Sequence, residues 1–169
     1  MPANRKEACA MTDMPTQLTT DFDALLDHGD IAEARRLLAP HLARGCAEAL
    51  FLSASVPEGE DDAHAEADSL ATLKQAAEKG YIPAIHALGL RLLTGDGVEQ
   101  DVTRAAAHFE RASEAGYPSA MYEFGLALFH GKGVASDVPR AVSLIRASAQ
   151  GGNEYAREFL LAHSLDVDA

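Results

Sequence analysis

The chain has 169 residues, with 26 acidic and 14 basic side chains and a formal net charge of −12 at pH 7. This length predicts one domain, and the scarcity of aromatic residues favours a core of alanine and leucine on closely packed helices. The acidic surface argues against nucleic acid or an anionic membrane as partner, because both would repel it. A basic protein partner is compatible with the charge, although acidic side chains also serve solubility alone.

We expect residues 1–17 to form a disordered tail and residues 166–169 to form a second, short tail. The basic residues near the N-terminus are not followed by an apolar run, so no signal peptide is indicated, and no segment is long enough to span a bilayer. The two cysteines, Cys9 and Cys46, lack the number and spacing of a disulfide scaffold. They predict free thiols in a reducing compartment, and we expect a cytoplasmic protein.

Residues 18–44 predict two N-terminal capping helices, and residues 45–79 predict a degenerate helix pair. The predicted helices are Thr20–Asp27, Ile31–Arg44, Cys46–Ser55 and Ala63–Lys79. The degenerate pair is interrupted by an acidic segment, Glu58–Asp68. It lacks the alternating ligands and closing glutamate of a calcium loop, which favours a solvated, flexible segment.

The segments 80–115 and 116–151 repeat each other, because thirteen of 36 positions are identical when the chain is shifted by 36 residues. The identical residues of the first copy are Gly80, Tyr81, Ala84, Gly89, Leu90, Leu92, Gly95, Gly97, Val98, Asp101, Val102, Arg104 and Ala105. A period of this size is typical of solenoid proteins. Such arrays bind through an extended surface rather than through one deep catalytic pocket.

Each copy predicts two helices joined by a glycine turn and followed by an aspartate N-cap, Asp101 or Asp137. The predicted helices are Pro83–Leu93, Val102–Ala115, Ser119–Phe129 and Val138–Gln150. A last helix, Glu154–Leu165, lies in a C-terminal capping segment, residues 152–165. The chain is therefore expected to contain about nine helices.

The pattern Ala84-x3-Leu88-Gly89-x2-Leu92-x2-Gly95-x-Gly97-Val98-x2-Asp101-x2-Arg104-Ala105 resembles the Sel1-like repeat, a relative of the tetratricopeptide repeat. Residues 120–141 give the same pattern with Phe124 in place of Leu88. The chain departs from the family at two kinds of position. The family often has tyrosine where this chain has Leu92 and Leu128, and tryptophan where it has His108 and Leu144.

The resemblance implies an all-α, right-handed α-solenoid of antiparallel helix pairs that serves as a protein-interaction scaffold. One cysteine-rich branch of the family has a disulfide in each repeat and is linked to β-lactam-like compounds. This chain lacks those cysteines, so a β-lactam-binding or hydrolase activity is not carried over from that branch.

The sequence offers no catalytic motif, no cofactor motif and no metal motif. The two Gly-x-Gly turns are too short for a phosphate loop, and no strand precedes them. None of the seven histidines forms an HxxxH or HExxH pattern. His108 falls at a semi-buried repeat position, which favours a packed core histidine over a ligand.

The remaining candidates are surface residues on the first helix of each pair, on the side that lines the concave face in tetratricopeptide-like stacking. They are His86, Leu90, Tyr122, Leu126 and Phe129. Apolar and aromatic residues there suit a groove that binds a peptide or helix. Alternatively, neighbouring first helices pack against one another and bury these positions, which we prefer for Leu93 and Phe129.

We therefore expect a non-enzymatic adaptor, monomeric or weakly self-associating, that binds a protein or peptide along the concave face. A second hypothesis is an inhibitor or immunity-type protein that neutralises a basic enzyme or toxin. A β-lactam hydrolase is a third and weaker one, because no nucleophile–base spacing supports it.

Overall fold

The structure, a computed structural model of the chain, describes residues 17–56 and 63–165, and within this part every regular element is an α-helix. The helices are α1 (Gln17–Asp27), α2 (Ile31–Leu42), α3 (Ala47–Ala54), α4 (Ala63–Glu78), α5 (Ile82–Thr94), α6 (Val102–Glu114), α7 (Pro118–His130), α8 (Val138–Gln150) and α9 (Glu154–Ala162). The all-α class and the nine predicted helices are confirmed. Both predicted tails lie outside the described residues, except Gln17, which is the first residue of α1. Of the acidic segment, residues 58–62 lie outside the described residues, and residues 63–68 form the beginning of α4 rather than an irregular loop.

Three helix boundaries differ from the prediction by more than one residue. Helix α1 begins at Gln17 rather than at Thr20, α2 ends at Leu42 rather than at Arg44, and α9 ends at Ala162 rather than at Leu165. The end of α9 is set by Ser164, whose φ of 55° is left-handed. This turn brings the N–H of Leu165 to the carbonyl of Leu160, at 2.9 Å, which closes the helix.

The described residues divide into two compact units between Ala84 and Ile85. In the first unit, α1 packs on α2, α2 on α3 and α3 on α4. The core of this unit is formed by Phe22, Ala34, Leu38, Cys46, Ala49, Leu52 and Val56. The hydroxyl of Thr19 donates to the buried Glu48 carboxylate over 2.6 Å, which compensates part of the cost of burying that group.

Cys46 corrects one expectation from the sequence. Its side chain is 5% exposed and is disulfide-bonded, so the predicted free thiol is wrong at this position. The number and spacing of the cysteines were the wrong criterion, because two cysteines far apart in sequence can pair wherever folding brings them together. Cys9 is the other cysteine of the sequence and lies outside the described residues. The expected cytoplasmic location stays a prediction but loses this support, since disulfides persist mainly in oxidising compartments.

The second unit contains residues 85–165, in which α6 packs on α7, α7 on α8 and α8 on α9. Its largest fully buried side chains are Ile85, Phe109, Phe124, Ile145 and Leu160. The buried hydroxyl of Ser148 donates to the carbonyl of Pro118 over 2.6 Å. Helices α7 and α8 are thus linked by both apolar contacts and a satisfied buried polar group.

The predicted turns and caps of the two repeats are confirmed. Gly97 and Gly133 have φ values of 65° and 72°, a region that disfavours residues with a side chain. The Asp101 carboxylate accepts from the backbone N–H of Arg104 at 2.9 Å, and Asp137 repeats this contact with Arg140 at 3.1 Å. Each aspartate therefore satisfies a backbone amide that the first turn of its helix leaves unpaired.

Candidate functional site

The five residues predicted to bind a partner lie on two helices of the second unit, and all five are half-buried. His86 and Leu90 lie on α5, and Tyr122, Leu126 and Phe129 lie on α7. We refer to these five residues as the first-helix face. Half-burial leaves part of each side chain available to a partner, while the rest packs inside the unit.

Tyr122 contacts the last helix through its ring. The ring centroid lies 6.5 Å from that of Tyr155, in a stacked arrangement, and 6.4 Å from that of Phe159, edge to face. Burial raises the pKa of the Tyr122 hydroxyl, and the neighbouring carboxylates of Glu123 and Glu158 raise it further. Tyr122 therefore stays neutral at physiological pH and can serve as a hydrogen-bond donor.

Phe129 belongs to an aromatic cluster at the other end of α7. Its ring lies 5.4 Å from Phe159, 5.7 Å from His163 and 5.2 Å from His130, each edge to face. Part of the Phe129 side chain is therefore buried against α9, as in the alternative that we preferred for this residue, in which neighbouring first helices pack against one another. Phe129 is half-buried, and its two histidine neighbours, His130 and His163, are exposed.

Leu126 packs against the buried cluster of Ile145, Ala149, Ala156 and Leu160, together with Tyr122 and Phe159. It also lines a cavity of about 190 Å³ between α5, α6 and α7. Leu126 is therefore the residue of the first-helix face that connects the surface beside α9 to a recess within the unit.

His86 lies among aromatic rings rather than in open solvent. Its imidazole centroid is 5.7 Å from that of Phe109 and 5.3 Å from that of Tyr117, and its Nε2 atom is buried without a hydrogen-bond partner. Burial lowers the pKa of His86 to about 4. The imidazole is therefore neutral at physiological pH, and it resembles a packed histidine more than an exposed binding residue.

Three residues of this surface were not identified from the sequence. Tyr155 is 71% exposed although it stacks on Tyr122, and Phe159 joins Tyr122 to Phe129. Glu123 contributes a half-buried carboxylate beside Leu126. The available signal was the 36-residue period, which places Phe159, Glu123 and the preceding Ala87 at equivalent positions.

The described part of the chain contains no group of three or more histidine, cysteine or carboxylate side chains that could hold a metal ion. His108 is half-buried, and its pKa is lowered by burial and by the nearby guanidinium groups of Arg104 and Arg111. Two neighbouring cations would oppose a bound metal ion, so this histidine fits the packed role expected for it.

None of the helices in the described part of the chain combines the length and the apolar character needed to cross a membrane.

A family model described as the Sel1 repeat matches residues 82–117 and 118–153, the two segments that contain the glycine turns and aspartate caps. The chain contains two Sel1 repeats. The resemblance inferred from the sequence pattern is thereby confirmed, and Sel1 repeats belong to the tetratricopeptide-like superfamily. No curated protein matches the chain.

Solved structures of Sel1-repeat proteins share the fold. A Sel1 repeat protein from Oxalobacter formigenes is 25% identical with a TM-score of 0.70, and the match covers 88% of this chain and 45% of that one. A protective antigen of uropathogenic Escherichia coli with an SLR fold is 26% identical with a TM-score of 0.63, over 74% of this chain and 27% of that one. The chain thus spans less than half of the length of these two proteins.

Helicobacter pylori cysteine rich protein B is 19% identical, with a TM-score of 0.57, and the match covers 86% of this chain and 98% of that one. Identity at this level shows the fold alone. Together with the helix pairs described above, these neighbours support the all-α solenoid class. Sel1 repeats are in general non-catalytic scaffolds for protein interactions.

Proposed function

We propose that the chain is an interaction scaffold that binds a protein or peptide partner on the first-helix face, extended by Tyr155 of α9. The observation that carries this proposal is the stacked pair of Tyr122 and Tyr155, because Tyr155 leaves 71% of its side chain in solvent beside a half-buried ring. Tyrosine combines a large apolar surface with a polar tip and is enriched at protein interfaces.

The apolar surface continues along α7 from this pair. Leu126 and Phe129 are half-buried on the same helix, and Phe159 of α9 contacts both Tyr122 and Phe129. An extended peptide or a helix can lie against such a row, with pockets between successive side chains giving specificity. The proposal needs no catalytic group, in keeping with the general role of Sel1 repeats.

The experiment is a comparison of immobilised variants that differ on one face only. The chain is used as bait in wild-type form, as Leu90→Glu on the first-helix face and as Ser143→Glu, which adds the same charge at an exposed position of α8. A partner that binds as proposed is captured by wild type and by Ser143→Glu but not by Leu90→Glu, and after purification it binds wild type with fixed stoichiometry. A purified partner that binds Leu90→Glu as tightly as wild type would contradict the proposal. Circular dichroism verifies that each variant is folded.

An inhibitor of a basic enzyme or toxin is the second candidate, and the observation that favours it is the net charge of −12. An acidic inhibitor speeds association with a basic target and can occlude its active site. Purification of the captured partner distinguishes the two candidates. An inhibitor abolishes the partner's own activity at one equivalent, whereas an adaptor leaves that activity intact.

A further inference from the structure

The cavity between α5, α6 and α7 has mostly apolar walls, one carboxylate and two basic side chains. Its volume is about 190 Å³. The apolar walls include Phe109 and Leu126, and the charged or polar lining residues are Glu123, His130 and Lys132. Pockets for drug-sized molecules usually measure about 300–1,000 Å³, whereas a cavity of about 150 Å³ can hold one benzene ring. The cavity therefore has room for a single side chain and not for a cofactor.

Glu123 is half-buried at this cavity, and among the described residues nothing donates a hydrogen bond to its carboxylate or forms an ion pair with it. Burial raises its pKa. His130 and Lys132 also line the cavity, but both are exposed to solvent and neither is paired with Glu123. A partly desolvated carboxylate without a partner is unfavourable for the folded chain, and pairing with a cation from a binding partner would offset this cost.

The repeat architecture does not require a carboxylate here. The equivalent residue is Ala87 in the preceding repeat and Phe159 in the following helix, 36 residues away on either side. Both are apolar, as packing between helices would favour. A charged residue that costs stability and is not required by the fold indicates a binding role.

From this geometry we propose that the cavity receives one arginine side chain of the partner, with its aliphatic stem against the apolar walls and its guanidinium group paired with Glu123. The inference rests on the proposed function and specifies the partner chemistry, since Leu126 belongs both to the first-helix face and to the cavity. Arginine fits better than lysine because its planar guanidinium can bind a carboxylate through two parallel hydrogen bonds. Arginine is also enriched among the residues that dominate interface energies.

The test uses two small probes that differ only in charge. N-acetylarginine amide and N-acetylcitrulline amide are titrated into the isotope-labelled chain at constant salt, and backbone amide shifts are followed by NMR. Citrulline replaces the guanidinium group with a neutral urea of nearly the same shape. We expect the arginine probe to shift amides around the cavity and to bind about fivefold more tightly than citrulline.

Two variants assign this preference to one carboxylate. Glu123→Gln should reduce arginine binding to the level of citrulline. Glu114→Gln, which removes an exposed carboxylate on α6 and changes the net charge equally, should keep the preference. The dispersion of the amide spectrum shows whether each variant is folded. Because glutamine nearly matches glutamate in size and burial disfavours the carboxylate, Glu123→Gln should fold at least as well as wild type.

Equal binding of both probes, a preference that survives Glu123→Gln, or shifts confined to residues away from the cavity would each overturn the inference. These outcomes are distinct from a failure of the proposed function. If Leu90→Glu abolishes partner binding while the arginine preference is absent, the face binds a partner that does not use this cavity. If Leu90→Glu leaves partner binding unchanged, the proposed function itself is wrong.

Discussion

The ring of Phe109 lies so close to Gly89 that a Cβ atom at residue 89 would come within 2.7 Å of the Cε1 atom of that ring. Gly125 has the same relationship to Ile145, whose Cγ1 atom would lie 2.6 Å from an added Cβ atom. Both glycines lie inside helices, where glycine costs about 1 kcal/mol relative to alanine. They are therefore kept because they let the second helix of each pair approach the first.

We expect Gly89→Ala to lower the free energy of unfolding by about 1–3 kcal/mol, because Phe109 is 2% exposed and its ring has no room to move away. Urea denaturation followed by circular dichroism measures the change. The substitution Phe109→Leu should cost less stability in the Gly89→Ala background than in wild type. A stabilised Gly89→Ala variant would mean that helix propensity outweighs this contact.

Gly133 combines a φ of 72° with a close neighbour, since an added Cβ atom would meet the carbonyl oxygen of Val102. Gly116 has a φ of 85°, but an added Cβ atom would have no atom within 4 Å. We expect Gly116→Ala to cost about 1 kcal/mol through backbone strain, and Gly133→Ala to cost about 1–3 kcal/mol more because the carbonyl cannot rotate away. Thermal melts of both variants make the comparison. Equal melting temperatures would show that the Val102 contact relaxes without cost.

The features that could be predicted from the sequence are those set by neighbours along the chain. The glycine turns and the Asp101 and Asp137 caps depend on local backbone geometry, and the structure has them at the predicted residues. The contact of Tyr122 with Phe159 joins residues on different helices and depends on how those helices pack. A helical wheel predicts on which side of α7 Tyr122 lies, but it does not show which residues of other helices contact it there.

The last helix illustrates the same limit. Leu161 occupies the position that corresponds to Gly89 and Gly125, and it is 67% exposed. Because this position is exposed in α9, a bulky residue is tolerated where the two repeats need glycine. The repeat pattern predicts that α9 is the first helix of a pair. It does not predict that leucine stands at residue 161, where the two repeats have glycine.

Cys46 leads to a covalent prediction. Because Cys46 is disulfide-bonded and Cys9 is the one other cysteine of the sequence, the unreduced monomer should have an intact mass lower than that of the reduced chain by the mass of two hydrogen atoms. Intact-mass spectrometry before and after reduction measures this difference. Cys46→Ser should leave one thiol that reacts with a maleimide. Two reactive thiols in the unreduced wild-type protein, or a disulfide-linked dimer, would contradict the prediction.

The tyrosines of the proposed binding surface should contribute unequally to stability. Leu92 is 3% exposed, so Leu92→Ala should cost about 2–5 kcal/mol through a cavity. Tyr122→Ala should cost less, about 1–2 kcal/mol, because the half-buried ring loses its contacts with Phe159. Tyr155→Ala should stay within about 0.5 kcal/mol of wild type, since its side chain is largely in solvent. Chemical denaturation gives the order. A cost for Tyr155→Ala equal to that for Leu92→Ala would make Tyr155 a core residue and remove it from the proposed surface.

His86 should make the fold sensitive to acid. Its pKa is about 4 in the folded chain and near 6.5 when exposed, so the unfolded chain binds the proton at a higher pH than the folded chain does. The free energy of unfolding is therefore highest above about pH 6.5 and decreases as the pH falls towards 4. The decrease is about 1–3 kcal/mol after allowance for partial solvent access. The lowered pKa of His108 also makes the fold less stable in acid, whereas the raised pKa of Glu123 makes it more stable there.

The variant His86→Phe tests this prediction, because it keeps an aromatic ring beside Phe109 and removes the titrating imidazole. Urea denaturation at pH 7.0, 5.5 and 4.5 should show that the variant loses less stability than wild type as the pH falls. Parallel losses in the two proteins would show that His86 gains solvent when it is protonated and does not control the acid sensitivity.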